Sequence, residues 1–81
     1  MSKAKDMKKV FEALEAQGFY VDKTGKHASV DNNALFKAGD ANALAHGRHR
    51  MNVAKTPRED KGVNNAIARL RRVFGFKWQG H

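Results

Sequence analysis

Two segments with the periodicity of helices enclose two segments that alternate like strands, and this order narrows the folds open to the chain more than any other feature. Near the C-terminal end, Val63, Ala66, Ile67, Leu70, Val73 and Phe74 recur at three- and four-residue spacing and form one apolar stripe. Arg72 points almost directly away from that stripe, with Arg69 and Arg71 on its flanks. Thr56, Pro57 and Glu59 stand in N-cap, first-position and N3 roles, a capping box with a proline start. Gly62 is a poor helix residue and marks a late start or a close contact. In "DMKKVFEALEAQGF" the residues Met7, Val10, Phe11 and Leu14 fall on one helix face, and Glu12 and Glu15 lie among lysines on the wet side. Gly18 is placed to end that helix in a left-handed cap, with Phe19 as the hydrophobic closing residue.

Between these helices the period changes to two. In "FYVDKTGKHASVD", Phe19 and Val21 alternate with Tyr20 and Asp22, and Lys23-Thr24-Gly25 offers a turn. On the return strand Ala28 and Val30 point one way, and His27 and Ser29 the other. In "RHRMNVA", Met51 and Val53 share a face and Asn52 takes the opposite one. A three-stranded sheet with helices on one side would bury Ala28 and Val30 and leave His27 on the open face, beside Lys26. The fold class expected is α+β, a single α-β-β-β-α domain over residues 1–81 with an insertion at residues 31–49.

The inserted stretch "NNALFKAGDANALAHGRH" reads three ways: a helix over Leu35 to Leu44 broken near Gly39, a helix starting at Asp40, or a loop tucking Leu35, Phe36 and Leu44 against the core. An unstructured loop of that length is uncommon inside a small domain, which favours helix.

Charge is placed unevenly. Residues 1–40 hold seven Lys/Arg against six Asp/Glu, whereas residues 41–81 hold nine against two and supply most of the net +8. Such asymmetry points to a polyanionic partner, nucleic acid first, with an acidic protein as the other option. Cysteine is absent, which excludes disulfides and thiolate zinc sites. No apolar run approaches bilayer length, so the expected setting is a soluble cytoplasmic protein with no membrane partner. His46 and His49 are three apart, but Gly47 between them and the lack of a nearby carboxylate or thiol argue against a metal site. They extend the basic surface. No cofactor is expected.

Two motifs then suggest a family. The "GF" after the first helix followed by "TGKH" is similar to the Gly-x-His that opens the second strand of HicA-type mRNA interferase toxins and their phage-encoded relatives. "KTPREDKGVNNAIARLRR" resembles their strand exit and C-terminal helix. The resemblance covers residues 7–31 and 50–76, and departs at the insertion, where the family has a tight hairpin. It implies a fold like a double-stranded-RNA-binding domain and a metal-independent mRNA endoribonuclease acting in the cytoplasm, of a bacterial host if phage-encoded, with an antitoxin as possible partner.

By position, the resemblance makes His27 the catalytic residue and gives Gly25 the turn and backbone access. Histidine is the side chain suited to moving a proton near neutral pH, as cleavage at a 2′-hydroxyl requires. Lys26 could hold the phosphate and stabilise charge developing on it. The remaining RNA-binding candidates are Arg48, Arg50, Lys55, Arg58, Arg69 and Arg72, together with Trp78, which could stack a base where Phe74 and Phe76 close the core. His81 is terminal. An alternative assigns the same fold to a non-catalytic phage regulatory module that binds nucleic acid or a host protein. A helix-turn-helix reading is weaker, because strand-like segments separate the helices.

Overall fold

Met7, Val10 and Leu14 are fully buried and Phe11 nearly so, because their spacing turns them all toward one side of helix α1 (Lys3–Ala16). The structure is a computed structural model that describes residues 3–56 and 60–78. Helix α1 ends as its sequence requires. Gly18 takes φ +96°, and the Phe19 amide reaches back to the Leu14 carbonyl at 3.0 Å, closing a Schellman-type turn that seats Phe19 in the core.

The chain then forms strand β1 (Tyr20–Asp22), a turn, and strand β2 (His27–Asp31). Helices α2 (Asn33–Lys37) and α3 (Ala41–His46) follow, then strand β3 (Arg50–Ala54) and helix α4 (Asp60–Phe74). The result is a small α+β fold with four helices and one antiparallel sheet in the order β1-β2-β3 among the described residues. Val21 pairs with Val30, Val30 with Met51, and Ala28 with Val53. These residues face α1 and α4 and form one core with Ile67, Leu70, Phe74 and Phe76. Each large apolar side chain buried there contributes about 1.5–3 kcal/mol relative to exposure. No described helix is long and apolar enough to cross a membrane. Of the capping box expected before α4, Pro57 and Glu59 lie outside the described residues.

The insertion is helical, as two short pieces rather than one. Gly39 lies between them, and Asp40 caps α3, its carboxylate accepting from the Ala43 amide at 3.0 Å. Its lower boundary moves by one residue, because Asp31 belongs to β2 and pairs with Tyr20 and Arg50. Leu35 packs against the core at Gly18, while Leu44 is 54% exposed and takes no part in it. Asn42 donates to the Phe74 carbonyl at 2.8 Å, fastening α3 to the end of α4. The insertion therefore extends the helical layer and leaves the far face of the sheet open.

That junction depends on Gly75. Its φ is +69°, and a Cβ there would lie 2.4 Å from Asn42 Oδ1 and 2.6 Å from the His46 ring. A left-handed conformation costs a non-glycine residue about 1–2 kcal/mol before any clash. Gly75→Ala is expected to destabilise the fold by roughly 2–4 kcal/mol, combining backbone strain with displacement of the Asn42 bond. Urea unfolding followed by the single tryptophan, Trp78, would measure this. An unchanged midpoint would mean that α3 does not dock as described.

Candidate nucleic-acid interface

Strand register decides what the open face presents. The pairing sets three rows across it: Tyr20, Asp31 and Arg50; Asp22, Ser29 and Asn52; and His27 beside Ala54. Alternation sends these side chains away from the helices, because their neighbours Val21, Ala28, Val30, Met51 and Val53 are taken into the core.

His27 begins the central strand and is exposed. Across the ladder from it stands Ala54, whose side chain is a single methyl group. Lys26 precedes it, and Lys55 follows its cross-strand partner. The Lys55 ammonium donates to the Lys23 carbonyl, which draws that charge to the turn leading into His27. The turn itself is built by Asp22, whose carboxylate accepts from the Thr24 hydroxyl at 2.7 Å and the Thr24 amide at 3.0 Å. Gly25 does not use left-handed backbone, and a Cβ there would make only ordinary contact, 3.6 Å from the His27 carbonyl. The turn therefore gives no steric reason for glycine at that position.

Asp22 shares this face, and its carboxyl is held below the usual aspartate range. The Thr24 hydroxyl is the largest cause, followed by the Thr24 amide; burial opposes them, and Arg50 and Lys55 lower it by smaller amounts. Asp22 is thus ionised at neutral pH. It can balance positive charge near His27, but it cannot donate a proton there.

Arg50 stands at the other end of the sheet, its Nε donating to Ser29 Oγ at 2.7 Å. Its row lies four residues from His27 along β2, about 13 Å at the usual rise of a strand. Arg48, also exposed, reaches Asn33 Oδ1 at 3.5 Å.

The remaining candidates lie elsewhere. Arg69 borders a groove between α4 and β3, lined also by Met51, Val53 and Ala66, and Arg72 is exposed three residues further along α4. Arg71 is committed, donating to the Trp78 carbonyl at 2.8 Å. Trp78 is half-buried against the core, its ring 6.1 Å from that of Phe76. Arg58 and His81 lie outside the described residues.

His46 and His49 are also engaged: His46 Nδ1 donates to the Asn42 carbonyl at 2.9 Å and His49 Nε2 to the His46 carbonyl at 2.7 Å. Since a carbonyl oxygen only accepts, these bonds fix which ring nitrogen carries the proton. Among the described residues no group of three His, Asp or Glu side chains could hold a metal ion.

Sequence reading placed Ser29 on the face of His27 but did not bring Asp22 and Asn52 beside it. The alternation that exposed His27 also exposes them, but the strand register that brings them together is a long-range property. Set against protein-family models, curated proteins and solved structures, the chain matches none of them.

Proposed function

We propose that the open face of the sheet binds single-stranded RNA and that the protein is a HicA-like, metal-independent endoribonuclease with His27 as its acid–base group. The α+β order of elements, with its three-stranded antiparallel sheet, supports reading the fold as like a double-stranded-RNA-binding domain with a helical insertion. The observation that carries the reading is the placement of His27: exposed at the start of the central strand, across the ladder from Ala54, with Lys26 and Lys55 adjoining. An imidazole there can take the proton from a 2′-hydroxyl as that oxygen attacks the neighbouring phosphorus, or return one to the departing 5′-oxygen. The lysines stabilise charge gathering on the phosphoryl oxygens. Ionised Asp22, opposite Ser29 on the adjoining strand, puts a negative charge on the same face two residues along β2 from His27.

A second reading has an observation in its favour. Asp22 and Asp31 share the open face, and carboxylates repel phosphate. A non-catalytic module that binds RNA or a host protein by its basic rim accommodates them without needing chemistry.

Incubating the protein with a long unstructured RNA in excess chelator, with binding followed in parallel, separates the two. Cleavage that is independent of divalent ions is expected. Salt-sensitive binding without cleavage would replace the enzyme by the binding module, and neither binding nor cleavage would remove RNA as the partner.

A further inference from the structure

The insertion leaves the open face free, yet it delivers three side chains to that face's far end. Asn33, Arg48 and His49 flank Asp31 and Arg50 around a shallow depression of about 270 Å³. Arg50 is anchored through Nε on Ser29, which leaves its two terminal nitrogens unassigned to that bond. Arg48 is exposed and makes one long contact, to Asn33. Asp31 is half-buried, one carboxylate oxygen accepting from the Asn33 backbone amide at 3.1 Å. Two guanidinium groups against one carboxylate leave the depression with a net positive charge, and paired guanidinium groups suit the oxygens of a phosphate.

We infer that this depression is a second phosphate subsite, which holds a backbone phosphate of the same RNA strand that lies over His27. The inference rests on the RNA reading above, but not on cleavage. Asp31 and His27 project from the same face of β2, about 13 Å apart. At the ~3.4 Å axial rise per nucleotide of a stacked strand, that separation spans about four nucleotides, and fewer in a stretched strand. The insertion thus sets a minimum substrate length, with Arg48 and Arg50 gripping one end of a short segment whose other end reaches His27. Asp31 moderates the grip.

The test compares the unsubstituted protein with Arg48→Gln and Asp31→Asn for binding of a single-stranded dinucleotide, an octanucleotide and inorganic phosphate across a salt series. Asparagine retains the oxygen that accepts from the Asn33 amide, so Asp31→Asn removes charge with little else. Arg48→Gln is expected to weaken octanucleotide binding roughly tenfold, as loss of a charged hydrogen bond would. It should also lower the slope of log affinity against log salt by about 0.7, one phosphate contact on a single strand. Dinucleotide binding should be unaffected, and Asp31→Asn should bind the octanucleotide more tightly than the parent. Equal effects of Arg48→Gln on both lengths, or none on either, would overturn the subsite while the RNA reading stands. Inorganic phosphate binding as tightly as the octanucleotide would make the depression a free-anion site and overturn it too. Failure of the parent to bind either oligonucleotide would overturn the RNA reading itself, and the subsite with it.

Discussion

His27→Ala is expected to lower RNA cleavage by about two to four orders of magnitude, the usual contribution of one positioned acid–base group. Binding of an uncleaved oligonucleotide should stay within about twofold, because the phosphate contacts assigned to Lys26, Lys55, Arg48 and Arg50 persist. The substitution should not disturb the fold. His27 is exposed, and its backbone keeps its place opposite Ala54. His27→Lys makes a sharper comparison, since it restores positive charge without a group that exchanges protons near neutrality. If the lysine variant binds at least as well as the parent yet does not cleave, the imidazole acts as an acid–base group. If it cleaves as well as the parent, charge alone accounts for the role, and the assignment of His27 as proton carrier fails.

Replacing Asn32 is expected to have the largest effect on stability. Asn32 is fully buried, its amide donating to the Gly47 carbonyl at 2.8 Å while its carbonyl oxygen accepts from the His49 amide at 2.9 Å. One side chain thereby joins both ends of the insertion and sets where β3 begins. Asn32→Leu is nearly isosteric, but it leaves a carbonyl and an amide without partners in a buried setting. Each such orphan costs about 1–3 kcal/mol. Against a total stability of roughly 5–10 kcal/mol for a domain of this size, this substitution should bring the protein close to unfolding at physiological temperature. Thermal unfolding followed by circular dichroism would show it.

Asn32→Asp provides a check with a definite sign. It keeps the acceptor for His49, but at neutral pH it sets a carboxylate oxygen against the Gly47 carbonyl. Burial and that repulsion raise the carboxyl's folded-state pKa above its unfolded value. The neutral acid is then the form the folded state prefers, since its hydroxyl can donate to Gly47. Stability of this variant should therefore be greater below the unfolded carboxyl pKa and decline as pH rises through the raised folded value. A variant no less stable at neutral pH than in mild acid would show that Asn32 does not join the two ends.

The contrast between Asn32 and Leu70 shows where sequence reading works. Leu70 belongs to a stripe repeated over several turns, so its burial follows from spacing alone. Asn32 lies in "DNN", which looks like a solvated turn, and its burial depends on residues fifteen and seventeen positions away. Helices α2 and α3 have five and six residues, too few for a periodic pattern to declare itself. The same division holds at the site. Alternation sufficed to place His27 and Ser29 on the open face, whereas the bonding of Arg71 to the Trp78 carbonyl arises only once the tail folds back along α4. Arginine looks alike in sequence whether its guanidinium is free for a phosphate or already bonded to a carbonyl.

The clamp between Gln17 and Lys77 has a consequence for how the chain acquires its structure. The Gln17 amide donates to the Lys77 carbonyl and accepts from the Lys77 amide, across sixty residues. Beside it Phe19 packs on Phe74 and Phe76. On the ribosome, α1 therefore emerges with Met7, Val10, Phe11 and Leu14 uncovered, and remains so until α4 has been synthesised and released from the exit tunnel. Docking of the helical layer therefore waits until the sixty residues from Gln17 to Lys77 have been made.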